Sequence, residues 1–92
     1  MNQTTTLDKT GTDINLGSPH NTILFNDETH SMDEVVDQIV KAIHCSPDRA
    51  AGIMLEAHKK GRAIVFTGHK ERAEHVADVL EQIRLGTKVE QV

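Results

Sequence analysis

From Asn21 onward the chain switches between short apolar runs and longer stretches whose apolar residues recur every three or four positions. Thr22-Ile23-Leu24-Phe25 is a run with strand character, stopped by the turn formers Asn26 and Asp27. Met32, Val35, Val36, Ile39, Val40 and Ile43 then fall at i, i+3, i+4, i+7, i+8 and i+11, one stripe on a first helix. Ser31 is placed to cap it and Glu34 to close a capping box, with Asp33 and Glu34 at the positive end of the dipole. Ser46-Pro47-Asp48 opens a second helix, with Ser46 as cap and Pro47 in its first position. Its apolar face is Ala50, Ile53, Met54 and Ala57, and Gly61 stops it after Lys59 and Lys60.

Ala63-Ile64-Val65-Phe66 reads as a second strand ended by Thr67-Gly68. A third helix is predicted from about Lys70 to Leu85, with Ala73, Val76, Ala77, Leu80 and Ile83 inward and Gly86 closing it. Lys88 to Val92 can form a last strand with Val89 inward. The order is β-α-α-β-α-β. An α+β (broadly α/β) domain, a three-stranded antiparallel sheet packed against three helices, would bury every stripe. Met1 to His20 keeps no such period and is rich in Thr and Gly, so residues 1–20 are expected to be a flexible tail and 21–92 the folded domain.

Ninety-two residues make one small domain. Ten basic and fourteen acidic residues give a formal net charge of −4, which argues against nucleic acid and against anionic membrane as partners. No apolar run approaches the roughly 20 residues of a membrane span, and the N-terminus lacks a secretory pattern. The single cysteine, Cys45, suits a reducing cytoplasm. With Phe25 and Phe66 as its aromatics, the core must be aliphatic and the domain modest in stability. A shallow binding surface is the more natural use of such a domain than a deep catalytic cleft, so no enzymatic activity is expected.

Two places could carry chemistry. Asp27, Glu28, Asp33, Glu34 and Asp37 lie in a stretch free of Lys and Arg between Lys9 and Lys41, and an acidic turn attracts a cation such as an α-ammonium. The same residues also fit a solvated turn and an ordinary first helical turn. His58, one turn after Met54, can accept a hydrogen bond from an ammonium group, or can simply sit at a helix C-terminus where its protonated form is favoured. Met32 and Met54 fit a core as well as an adaptable pocket. Six histidines and Cys45 show no metal-ligand spacing, so neither metal nor cofactor is expected, and no base accompanies Cys45.

Ile23-Leu24-Phe25-Asn26-Asp27-Glu28-Thr29, Met32-Asp33-Glu34-Val35-Val36 and, most of all, Ala50-Ala51-Gly52-Ile53-Met54-Leu55-Glu56-Ala57-His58-Lys59-Lys60-Gly61-Arg62-Ala63 resemble the ATP-dependent Clp protease adaptor family, ClpS. Glu71, Ala73 and Glu74 match the start of its last helix, so the resemblance covers about residues 21–92. It implies the order of elements read above and a shape similar to the C-terminal domain of the ribosomal stalk protein. It further implies a cytoplasmic adaptor that binds proteins beginning with Leu, Phe, Tyr or Trp and delivers them to a Clp family AAA+ unfoldase of ClpA or ClpC type. By position, Asn26, Asp27, Glu28 and His58 would surround the substrate's α-amino group. Met32, Val35, Met54, Ala57 and Leu85 would line a side-chain pocket, and Glu71 would face the unfoldase. The resemblance also gives the tail a part in handing over the substrate.

Departures from the family pattern bear on specificity. Glu28 stands in place of Asp, Ala57 in place of a larger aliphatic residue, Ser31 in place of Pro, and Val76 where many relatives carry Lys. The alternative reading is a protein-interaction module of the stalk-domain shape that ignores N-termini.

Overall fold

A computed structural model describes residues 17–92. Most of the expected tail therefore lies outside the described residues. Six elements follow in the predicted order: β1 (His20–Phe25), α1 (Met32–Ile43), α2 (Pro47–Lys60), β2 (Arg62–Gly68), α3 (Lys70–Glu81) and β3 (Thr87–Gln91). β1 starts one residue before the predicted domain boundary.

The helix starts obey local chemistry. Ser31 Oγ accepts from the Glu34 N–H at 3.2 Å, and Glu34 Oε1 accepts from the Ser31 N–H at 2.9 Å, a complete capping box. Ser46 Oγ accepts from the Arg49 N–H at 3.1 Å, with Pro47 in the first helical position. α2 ends on Gly61 at φ 89°, whose N–H donates to Ala57 O at 2.8 Å.

α3 ends earlier than its apolar stripe suggests. The prediction ran to Leu85 with Gly86 as the stop; the helix stops at Glu81. Gln82 and Arg84 each bond three residues back, to Val79 O at 3.2 Å and Glu81 O at 2.8 Å, which tightens the last turn. Arg84, at φ 67°, takes a left-handed conformation two residues before Gly86, which was expected to close the helix.

The sheet is antiparallel in the order β2-β1-β3. Leu24 pairs with Ala63 on one side and Thr87 on the other. A register shift beside Thr22 and Ile23 leaves Val65 between two paired residues, so Val65 and Phe66 both serve the core. Leu24, Val35, Ile39, Ala57, Val65, Val76 and Leu80 form that core between the sheet and the helices. Two buried polar side chains are satisfied within it. Thr22 Oγ1 donates to Ala73 O at 2.7 Å, and Gln38 Nε2 to Val79 O at 2.6 Å. On the other face of the sheet Arg62 Nη2 meets Glu90 Oε2 at 3.1 Å, linking the two edge strands.

Candidate functional site

The loop between β1 and α1 meets the C-terminal half of α2 around a cavity of about 260 Å³. Asn26, Asp27, Glu28 and His30 come from the loop, Met32 and Val35 from α1, and Met54, Ala57 and His58 from α2, with Leu24 and Phe25 at the end of β1. The four residues predicted around an α-amino group thus share a cavity with four of the five predicted for the side-chain pocket. The fifth, Leu85, is 2% exposed, belongs to the core, and does not line the cavity. Glu71 is exposed in the first turn of α3, also away from the cavity.

The helical spacing explains the apolar wall. Met54 and His58 are one turn apart on α2, with Ala57 beside them; Met32 and Val35 are one turn apart on α1. Val35 and Ala57 are buried, Met54 is half-buried, and Met32 is 53% exposed, so Met32 sits where the wall meets solvent.

The polar rim is built by Asp27. Its Oδ2 accepts from the Thr29 N–H at 3.1 Å, the His30 N–H at 2.7 Å and the His30 Nδ1 at 2.8 Å; its Oδ1 accepts from the Thr29 hydroxyl at 3.1 Å. These bonds wrap the loop around the carboxylate in the manner of an Asx turn. Burial acts to raise the Asp27 carboxyl, but the hydrogen bonds from the His30 backbone, the His30 ring and the Thr29 hydroxyl hold it below its ordinary value. Asp27 is therefore charged at neutral pH, with its acceptor sites already engaged inside the loop. Asn26 Nδ2 donates to Glu28 Oε2 at 3.3 Å, which leaves the Asn26 side-chain oxygen as an acceptor without a protein partner among the described residues. Glu28 and His58 are exposed.

The lining includes two carboxylates and neither Lys nor Arg. Chemically, the cavity can take a cation at its rim and an apolar group within. Sequence reasoning missed His30, Leu24 and Phe25. The first two signals were absent from any local period: His30 acts through a loop fold, and Leu24 reads as ordinary core. Phe25 ends the strand run, and a strand end beside an acidic turn was the available hint. A second hollow of about 530 Å³, between β2 and the α1–α2 linker, is lined by Cys45, His44 and Arg49 among others and holds none of the predicted residues. Among the described residues no group of three or more His, Cys, Asp or Glu could hold a metal ion, and no helix is long and apolar enough to cross a membrane.

The family model for the ATP-dependent Clp protease adaptor protein ClpS matches residues 16–88. The chain belongs to the ClpS family. The family is the one the resemblance pointed to, described as the adaptor protein of an ATP-dependent Clp protease. ClpS2 of Agrobacterium tumefaciens, solved bound to L-phenylalaninamide, superposes with a TM-score of 0.77 at 21% identity, over 82% of this chain and 98% of that one, and shows the same fold. Over 49 residues, 53% of the chain, the sequence is 37% identical to the E3 ubiquitin-protein ligase ubr-1 of Caenorhabditis elegans and 35% identical to UBR1 of Drosophila melanogaster. The chain spans only 2% and 3% of those ligases, so the likeness is to a small segment of each.

Proposed function

We propose that the cavity receives the free N-terminal residue of a substrate protein, and that the chain passes this protein to a Clp AAA+ unfoldase in the cytoplasm. One observation carries the reading: Asn26, Glu28 and His58 at the rim and Met32, Val35, Met54 and Ala57 in the wall belong to one cavity of side-chain size. An N-terminal residue offers the complementary pair, an α-ammonium next to a side chain. L-phenylalaninamide, the ligand of the Agrobacterium relative, has both parts.

The energetics require both parts. Burying a large apolar side chain contributes roughly 1.5–3 kcal/mol. Each charge-assisted hydrogen bond to the ammonium contributes roughly 1.5–3 kcal/mol. Neither alone offsets the loss of translational freedom on association. An internal Leu or Phe brings no ammonium and is rejected. Substrates beginning with Leu, Phe, Tyr or Trp are the class expected, and Glu71 on the exposed face of α3 is the proposed contact with a ClpA- or ClpC-type unfoldase.

Fluorescence anisotropy with a labelled Leu- or Phe-initiated peptide and its N-acetylated twin tests the reading. The free peptide binds and the acetylated one does not. Equal binding of the two would instead mark a docking module indifferent to N-termini.

A further inference from the structure

His30 lines the cavity with its side chain about four-fifths buried, at 19% exposure. Its Nδ1 lies 2.8 Å from Asp27 Oδ2. An ionised carboxylate oxygen only accepts, so Nδ1 carries the ring proton. The Thr29 hydroxyl, 3.2 Å from the same nitrogen, gives its own proton to Asp27 Oδ1 and does not alter that assignment. In the neutral ring Nε2 is then an acceptor, and it has no hydrogen-bond partner among the described residues.

The ring cannot readily turn away to find one. Its own backbone N–H is tied to the same carboxylate at 2.7 Å, so backbone and side chain of His30 are anchored together. The neighbouring wall, Met32, Val35 and Met54, supplies no donor. An unpartnered acceptor on a largely buried ring that lines a cavity with an apolar wall favours a ligand that brings a donor over an isostere that lacks one.

We propose that His30 tunes this cavity toward N-terminal side chains that carry a hydrogen-bond donor, tyrosine over phenylalanine, by offering Nε2 as the acceptor. Asp27 is the positioning residue that fixes the ring and its tautomer. The inference rests on the N-terminal-residue reading of the cavity and adds a substrate preference to it.

The test uses the full chain and three labelled peptides identical except for Tyr, Phe or 4-fluoro-Phe at position one, each also N-acetylated. Tyr is expected to bind on the order of tenfold more tightly than Phe and 4-fluoro-Phe, the effect of one satisfied hydrogen bond. In His30→Phe, which keeps a ring of similar size, the Tyr-to-Phe ratio falls to about one while Phe binding persists. A loop that is merely loosened would weaken both peptides and leave their ratio unchanged. Equal affinities for Tyr and Phe in the unsubstituted protein overturn the preference, and so does an unchanged ratio in His30→Phe. The first of these needs no variant to fold. Loss of discrimination between free and acetylated peptides would overturn the underlying reading instead, so the two failures are distinguishable.

Discussion

The backbone N–H of Asn26 donates to the carbonyl of Gly61 at 2.9 Å. This bond ties the acidic loop to the C-terminal end of α2, and it is what sets Asn26 and His58 on one cavity although 32 positions separate them in the sequence. The Phe25 N–H bonds Gly86 O at 3.0 Å, so the turn after α3 braces the strand end from the other side. Three segments distant in sequence therefore meet behind the rim. These backbone bonds anchor the two ends of the rim, while the Asp27 carboxylate shapes the loop between them.

Gly61 should be sensitive for a reason unrelated to space. A Cβ built there meets nothing within 4 Å, but its φ of 89° disfavours any other residue. Gly61→Ala is expected to destabilise the domain by about 1 kcal/mol, and Gly61→Asn by less. Urea unfolding measures both. Equal stability of all three proteins would mean that the left-handed cap is not maintained in solution.

Asn26 and His58 carry no interior packing, so their removal should affect binding and leave folding intact. Asn26→Ala and His58→Ala are each expected to weaken a Phe-initiated peptide by roughly 10- to 100-fold, one charge-assisted hydrogen bond apiece. Their urea midpoints should stay within about 0.5 kcal/mol of the parent. Unchanged affinity in both variants would remove these two residues from the ammonium site.

The parts of this molecule governed by local rules were legible in its sequence. Ser31 with Glu34, Ser46 with Pro47, and Gly61 each mark a helix end by short-range chemistry, and the structure keeps all three. The end of α3 was hidden because its stripe continues through Leu80 to Ile83 with no break in period. Ile83 and Leu85 are still drawn toward the core, but by a tightened turn instead of a helix. His30 was invisible for a different reason. An Asp followed three residues later by His has no fixed meaning outside a helix, and the carboxylate that unites them does so only once the loop closes on it.

That closure depends on the charge of Asp27, which gives it a defined pH response. Its folded carboxyl titrates below its ordinary value of 3.8. Between the two values the unfolded chain binds more protons, so the stability that Asp27 contributes is complete above the unfolded pKa and is lost as pH falls through the folded one. Glu34, exposed in the capping box, is lowered in the same direction by hydrogen bonds from the Ser31 backbone and side chain. A movement of the Thr29 and His30 amide signals that depends on Asp27 is therefore expected below about pH 4. Asp27→Asn should show a loosened loop already at pH 7 and no such step in acid. Identical acid titrations of the two proteins would show that the loop does not rest on this carboxylate.

Ala57 tests the size of the wall. It is 3% exposed, it belongs to the core as well as to the cavity, and its small side chain leaves room that a larger residue would occupy. Ala57→Val adds two methyl groups at a helix position whose neighbour toward the mouth, Met54, is flexible and can yield in part. The expected cost in stability is about 1–3 kcal/mol, as for other additions to a packed interior. The effect on ligands should be unequal. A planar aromatic ring needs the full width of the cavity, whereas a leucine side chain is shorter and can shift. Affinity for a Phe-initiated peptide should fall about five- to tenfold more than for a Leu-initiated one, a difference of about 1–1.4 kcal/mol. Anisotropy titrations of both peptides against both proteins measure it. A parallel loss for the two peptides would mean that Ala57 supports the fold without shaping what enters the cavity.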